Sequence, residues 1–176
     1  MKDRAAADDP APSSTEGLKM MRRQLLTLLS TFGLGRSAQA ADAARADAVT
    51  RTDAEWRQRL SAQQYRVLRH EGTELPYSSP LNGEKRAGRY LCAGCGLALF
   101  SSAAKFDSGT GWPSFFAPLQ GALATKTDFM LVLPRTEYHC ARCGGHQGHV
   151  FDDGPRPTGK RYCNNGVALS FEPGSV

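Results

Sequence analysis

Five cysteines carry most of the chemistry this chain can do, and they are not alike. Four fall into two C-x-x-C pairs, Cys92/Cys95 and Cys140/Cys143, with 44 residues between the pairs. The fifth, Cys163, has no partner in the pattern and sits in the run Arg161-Tyr162-Cys163-Asn164-Asn165-Gly166. An unpaired cysteine beside an arginine, with histidines upstream, reads as a nucleophile rather than a staple. The thiolate is the attacking form, and a free cysteine titrates near about 8.5. Arg161 is a fixed positive charge two residues earlier, and on a strand residues i and i+2 share a face. His146 and His149, three apart and expected near a turn, could hydrogen-bond a substrate oxygen or donate a proton, with Asp152 or Asp153 orienting one of them. Trp112, Phe115 and Phe151 could wall a pocket for a small thioether-like group, the Trp112 indole N–H supplying one donor. His70 and His139 lack such company and read as structural or surface residues.

The paired cysteines predict a metal. Four soft thiolates close a tetrahedral site and leave no position for substrate, so the role is structural. Zinc is favoured, one ion per chain, with iron the lesser alternative. In an oxidising compartment the same thiols could instead form two disulfides. A bridge within either C-x-x-C is cramped, so such bonds would run between the pairs.

The elements that must position these groups follow from the remaining pattern. Thr52-Asp53-Ala54-Glu55 has the form of a capping box and starts a helix that buries Trp56, Leu60 and the stem of Arg59. A second helix is predicted from Ala62 to Arg69, with Tyr65 and Leu68 inward. Beyond Gly72, short strands and glycine turns dominate. Gly88–Leu91 leads into the first cysteine pair and Leu97–Phe100 returns from it. Phe129–Leu133 reads as a buried strand and Arg135–His139 as the strand delivering the second pair. Arg161–Cys163 and Val167–Phe171 close the chain. The aromatic, Gly/Pro-punctuated run Thr110–Phe116 fits no regular element and reads as a binding loop. Many short strands after two helices predict a mainly β fold of sandwich or barrel type.

Composition bounds the rest. The chain has 176 residues, 40% hydrophobic and 22% charged, with a net charge of +5. Outside residues 1–40 there are 16 Lys/Arg against 13 Asp/Glu, scattered without a basic run. That excludes an electrostatic footprint for nucleic acid. Residues 1–20 are Ala-, Asp- and Pro-rich and read as disordered or as preceding the true start. Residues 21–40 hold Arg22-Arg23, a short apolar run and Ala38-Gln39-Ala40, the layout of an export signal, with the paired arginines resembling the twin-arginine type. The run is too short to span a bilayer. Export to a bacterial periplasm is the expectation, by this or the general secretory route, with a cytoplasmic protein the alternative. Residues 41–50 read as a linker and 51–173 as the folded domain, expected to be monomeric.

Several runs together resemble the B-type methionine-R-sulfoxide reductases: Glu55-Trp56-Arg57, Gly72-Thr73-Glu74, both C-x-x-C pairs, Lys105-Phe106-Asp107-Ser108-Gly109, Gly111-Trp112-Pro113-Ser114-Phe115, His146-Gln147-Gly148-His149-Val150-Phe151 and Arg161-Tyr162-Cys163-Asn164-Asn165. The resemblance covers Thr52 to Phe171. It implies two antiparallel sheets in a barrel-like, tent-shaped arrangement with short N-terminal helices and a four-cysteine zinc site. It implies that Cys163 is the catalytic cysteine, that His146, His149, Asn165, Trp112 and Arg161 surround it, and that Phe151 helps take the ε-methyl group. The substrate would be methionine-R-sulfoxide in oxidised proteins, possible also as the free amino acid. Cys163 would pass through a sulfenic acid. Many relatives carry a resolving cysteine where this chain has Thr110. The resemblance therefore implies a one-cysteine enzyme, regenerated by an external thiol or a thioredoxin-like protein. At Asn164 the family commonly has an apolar residue. The competing reading is a zinc-ribbon-like binding module in which Cys163 is inert.

Overall fold

A computed structural model describes residues 46–129 and 134–175. The segments read as disordered (1–20) and as an export signal (21–40), and the first half of the linker, lie outside the described residues. Two capped helices open the domain. Thr52 and Glu55 make the reciprocal capping box that starts α1 (Asp53–Arg59), and Ser61 and Gln64 repeat it for α2 (Ala62–His70). Each cap satisfies N–H groups that a helix start leaves without partners. Glu71 ends α2 in the left-handed region at φ 54°. Trp56, Leu60, Tyr65, Val67 and Leu68 face inward as the 3.6-residue period requires. Arg59 does not: its side chain is exposed, because only one stripe of so short a helix meets the sheets.

Nine short strands follow among the described residues: β1 (Gly88–Cys92), β2 (Ala98–Ser101), β3 (Lys105–Phe106), β4 (Ser114–Phe115), β5 (Leu123–Asp128), β6 (Arg135–Cys140), β7 (His146–Phe151), β8 (Arg161–Asn164) and β9 (Leu169–Pro173). They form two antiparallel sheets, β2-β1-β9 and β3-β4-β8-β7-β6-β5. The mainly β class and the two sheets match expectation; both sheets are open, with no closed barrel among the described residues. The sheets meet through aromatic rings. Phe100 of β2 stacks on Phe115 of β4 at 4.1 Å, and Tyr90 of β1 meets the same Phe115 ring edge-on at 4.8 Å. Tyr90, Phe100, Phe115 and Tyr138 are fully buried, each contributing about 1.5–3 kcal/mol of burial.

Two expectations need correction, and a third falls mostly outside the described residues. Of the buried strand expected at Phe129–Leu133 only Phe129 is described, 75% exposed and outside any strand. The strand β5 just before it is polar and is held by its ladder to β6. The 110–116 run is not all loop, since Ser114–Phe115 pairs with β8. Residues 47–49, read as linker, are tied down: Val49 N–H donates to the Arg142 carbonyl at 2.8 Å and Asp47 pairs with the Arg142 guanidinium.

Candidate active site and metal cluster

Both cysteine pairs are built from one turn used twice. Cys92 ends β1 and Cys140 ends β6, and each is followed by a tight turn to the second cysteine. Gly96 N–H donates to the Cys92 carbonyl at 2.8 Å and Gly144 N–H to the Cys140 carbonyl at 2.9 Å. Both glycines have positive φ, 73° and 67°, where other residues are strained. The turns face each other and bring four sulfurs within 4.8 Å of one another. Cys92 and Cys143 sulfurs are 3.7 Å apart, and those of Cys95 and Cys140 3.5 Å. A tetrahedral zinc with Zn–S bonds of about 2.3 Å has edges of about 3.8 Å, whereas a disulfide needs about 2.05 Å. The four thiols fit a tetrahedral metal ion and are not bonded to one another. Such an ion would fasten β1 of the small sheet to β6 of the large one.

The catalytic candidates lie on the large sheet. Pairing across β5, β6, β7, β8 and β4 sets Lys126, Glu137, His149, Cys163 and Ser114 in one row. Side chains in such a row share a face of the sheet. His146 opens β7 directly after the turn of the second cysteine pair, and His149 lies further along the same strand. Tyr138 pairs with Gly148 and His139 with His146, so Gln147 is the extra residue of a bulge. The bulge breaks the alternation and lets two histidines three apart work from one side: His146 Nδ1 lies 2.8 Å from Glu137 Oε1, and the two rings meet at 5.6 Å. Glu137, the partner of His149 across the ladder, also pairs with Lys126 at 3.1 Å.

The carboxylates that orient the histidines are Glu137 and Asp128, not Asp152 or Asp153. Asp128 Oδ2 lies 2.8 Å from His149 Nε2 and accepts from the Arg135 guanidinium at 2.6 Å. Asp152 pairs instead with Lys160, and Asp153 holds Arg161 by two bonds of 2.8 Å. Sequence separation hid the true partners: ladder neighbours on β5 and β6 are distant in the chain.

A cavity of about 140 Å³ opens over Cys163, walled by Trp112, His149, Phe151 and Asn165, and also by Thr73, Arg135 and Gly148. Gly148 is required, since a Cβ there would collide with the Cys163 carbonyl. Of the predicted residues, Cys163, His149, Trp112, Phe151 and Asn165 come together around the space. His146 lies behind His149 and is buried at 2% exposure. Arg161 also stands behind the wall, its guanidinium 4.3 Å from the Phe151 ring centre. Phe115 does not reach the cavity: alternation on β4 turns it into the core, where it is fully buried. The Trp112 indole N–H is not free for a ligand, because it donates to the Glu74 carbonyl at 3.2 Å.

Glu74, buried and unassigned by sequence reasoning, organises this wall. Its carboxylate accepts from Gly166 N–H at 2.6 Å and Val167 N–H at 2.8 Å, and its own N–H donates to Asn165 Oδ1 at 2.9 Å. The Asn165 amide in turn donates to the Gln147 carbonyl at 3.0 Å. Asn164 has its own partners: it accepts from the buried Tyr138 hydroxyl at 2.9 Å and donates to the Asn165 carbonyl at 2.8 Å.

Burial pushes the Cys163 thiol above its ordinary value, opposed first by the Arg161 charge and then by a hydrogen bond from the Thr110 hydroxyl. Arg161 is therefore beside the sulfur as its position predicts, but it does not outweigh desolvation. Burial also holds His149 below the usual imidazole range, against the upward pull of Asp128. Its resting form at neutral pH is uncharged. Thr110 belongs to a hydroxyl chain, with Ser108 2.8 Å from both Thr110 and Ser114.

Comparison with known proteins agrees with this geometry. A family model described as the SelR domain matches residues 60–173. The chain is 53% identical over 124 residues to a peptide methionine sulfoxide reductase MsrB of Thiobacillus denitrificans, covering 70% of this chain and 94% of that protein. It is 47% identical over 125 residues to the enzyme so named from Leptospira interrogans (70% and 95%) and 50% identical over 126 residues to that from Agrobacterium fabrum (71% and 93%).

Proposed function

The chain belongs to the MsrB family of peptide methionine sulfoxide reductases, and we propose that it reduces the R epimer through attack of Cys163 on the sulfoxide sulfur. The observation that carries the reading is the placement of Cys163 across the ladder from His149, under one small cavity walled by Trp112 and Phe151. The Cys163 thiol gives its proton to the neutral His149, and the sulfur attacks. The sulfoxide oxygen takes that proton, the S–O bond passes to Cys163, and methionine leaves as the thioether. Cys163 is then a sulfenic acid. Trp112 and Phe151 offer ring surface to the methyl group, and Asn165 is held rigid by Glu74 and Gln147.

Regeneration requires a thiol from outside. The other four cysteines are gathered in the metal cluster, and Thr110 supplies a hydroxyl where a resolving thiol would stand. An external thiol attacks the sulfenic sulfur, water leaves, and a second thiol cleaves the mixed disulfide to restore Cys163. A thioredoxin-like protein is the proposed donor. Zinc is the proposed occupant of the cluster, held by Cys92, Cys95, Cys140 and Cys143; it supplies a structural cross-link. We also place the enzyme, as a monomer, in an exported compartment, on the sequence pattern of residues 21–40; finding that segment intact on cytoplasmic protein would count against this. No helix among the described residues is long and apolar enough to cross a membrane.

The deciding experiment uses separated epimers of N-acetyl-methionine sulfoxide, zinc-loaded protein and excess dithiothreitol. Turnover of the R form alone is expected. Absence of R-epimer reduction would sink the reading. The inert-cysteine binding module is set aside by the family membership.

A further inference from the structure

The Thr110 hydroxyl hydrogen-bonds the Cys163 sulfur, and the proposed reaction makes no use of it. The loop that carries Thr110 is clamped from outside. Gly109 and Gly111, on either side, hold positive φ of 70° and 91°, the backbone that favours glycine. Tyr77 ties both: its hydroxyl donates to the Gly109 carbonyl and its N–H to the Gly111 carbonyl, each at 2.7 Å. Two more hydroxyls stand behind Thr110. Ser108 Oγ lies 2.8 Å from Thr110 Oγ1 and 2.8 Å from Ser114 Oγ. Ser114 is buried and pairs directly with Cys163 across the ladder. None of the three hydroxyls lines the cavity over Cys163.

Each hydroxyl has one proton to give, and the far end of the chain fixes where each goes. Ser114 donates to the Trp112 carbonyl at 3.0 Å, because a carbonyl only accepts. Ser108 must then donate to Ser114, and Thr110 to Ser108, which also accepts the Thr110 N–H at 3.4 Å. The Thr110 proton therefore points away from Cys163, and its oxygen is left as an acceptor for the S–H. A thiol fills all four links of the chain. A thiolate leaves three protons for four links, so ionisation costs one hydrogen bond.

We propose that Ser108 and Ser114 are positioning residues for the nucleophile: they commit the Thr110 proton to Ser108, so that Thr110 accepts from Cys163 and holds the resting cysteine as a thiol. The inference rests on the reading of Cys163 as the nucleophile. Other charged and titratable groups bear on the same sulfur: Arg161 of β8, Asp153 of the loop before it, His149 of β7, and Arg135 and Tyr138 of β6. The ordered hydroxyls are the contribution of β4 and the loop that precedes it. The gain is resistance to the oxidants that make the substrate. Against hydrogen peroxide the thiolate is the reactive form. Its sulfur attacks one peroxide oxygen, the S–O bond forms as the O–O bond breaks, and sulfur loses two electrons. The released hydroxide takes a proton and leaves as water, and Cys163 becomes a sulfenic acid without repairing a methionine. A cysteine held as a thiol avoids this, and ionises when a seated sulfoxide draws the sulfur forward and His149 takes its proton.

The test follows alkylation of Cys163 by iodoacetamide against pH in zinc-loaded full-length protein, read by mass spectrometry. Ser108→Ala removes the acceptor of the Thr110 proton and frees it for the thiolate. The rate at neutral pH should rise by one hydrogen bond's worth, about two- to tenfold, with the midpoint moved to lower pH. Hydrogen peroxide should consume the Cys163 thiol faster by the same factor. Ser114→Ala acts from the other end, since it strips Ser108 of its acceptor and lets the chain reverse; it should shift the midpoint in the same direction. In Ser108→Ala/Thr110→Val the gain should vanish, the rate matching that of Thr110→Val alone. An unchanged or slower rate in Ser108→Ala with its melting point intact, or the same in Ser114→Ala, would overturn the inference. So would a gain that survives in the double variant, which would show that Ser108 acts by another route. Alkylation needs no substrate, so these outcomes are read independently of the epimer assay. Failure of that assay would remove the reductase reading and leave the proton order measured.

Discussion

Replacing Asp128 by Asn asks whether His149 is an oriented acid–base group or only part of the wall. One carboxylate oxygen serves two partners, His149 Nε2 at 2.8 Å and Arg135 at 2.6 Å. Asn keeps the shape and one acceptor but removes the charge, so one charge-assisted bond, worth about 1.5–3 kcal/mol, is lost. At about 1.4 kcal/mol per decade, that is a fall of about 10- to 150-fold if the bond is needed in the transition state. The whole effect of a general acid–base group is about 10²–10⁴, so orientation would carry a substantial share of it. Asp128 also raises the His149 pKa, against burial and the Arg135 charge. Its loss should move the pH limb due to His149 to lower pH. Single-turnover reduction of N-acetyl-methionine-R-sulfoxide separates the terms: kcat should fall while KM changes little. A thermal melt controls for Arg135, which loses its partner. Activity within about twofold of wild type, with the fold intact and the pH profile unmoved, would refute the orientation argument.

Other substitutions probe the sulfur, the core and the cluster. Because burial raises the Cys163 pKa and Arg161 is the first influence opposing it, alkylation by iodoacetamide should rise through a midpoint above the free-thiol value of about 8.5, and Arg161→Gln should move that midpoint higher still. A midpoint unchanged in Arg161→Gln would show that Asp153 already neutralises the guanidinium. Asn164→Leu strips the buried Tyr138 hydroxyl of its acceptor. The expected cost is about 1–3 kcal/mol, read as a lower midpoint in urea. Removing the metal with a chelator should unfold the domain, because structural zinc contributes about 10–16 kcal/mol in small sites against a typical stability of about 5–15 kcal/mol. Far-UV circular dichroism during titration with chelator, with metal content measured alongside, checks this; a chelated protein that keeps its spectrum and melting point would contradict it.

What the sequence made legible was whatever is written locally. The capping boxes, the repeated C-x-x-C-Gly turn and the i, i+2 relation of Arg161 to Cys163 each depend on residues within a few positions of one another. What it hid depends on strand register. Asp128 and Glu137 reach the histidines only because β5, β6 and β7 align as they do. Phe115 has the same composition-level credentials as Phe151, yet alternation turns one into the core and leaves the other on the cavity. β5 is not legible because its residues are largely polar, with no apolar alternation to mark a strand.

The bulge at Gln147 joins the two parts that the cysteine pattern keeps separate. Its side chain is fully buried and donates to the Cys92 sulfur at 3.4 Å. Its carbonyl accepts from both the backbone and the side chain of Asn165, two residues past Cys163. The same extra residue shifts the strand so that His146 and His149 can both meet their carboxylates. A strand without the bulge would send three-apart histidines to opposite faces. A metal held by the cluster would therefore do more than clamp β1 to β6. By fixing Cys92 it would hold the partner of Gln147, the residue that sets the register of the row containing Cys163 and His149. That is a physical reason for a four-cysteine cluster and a lone cysteine to occur in one small domain.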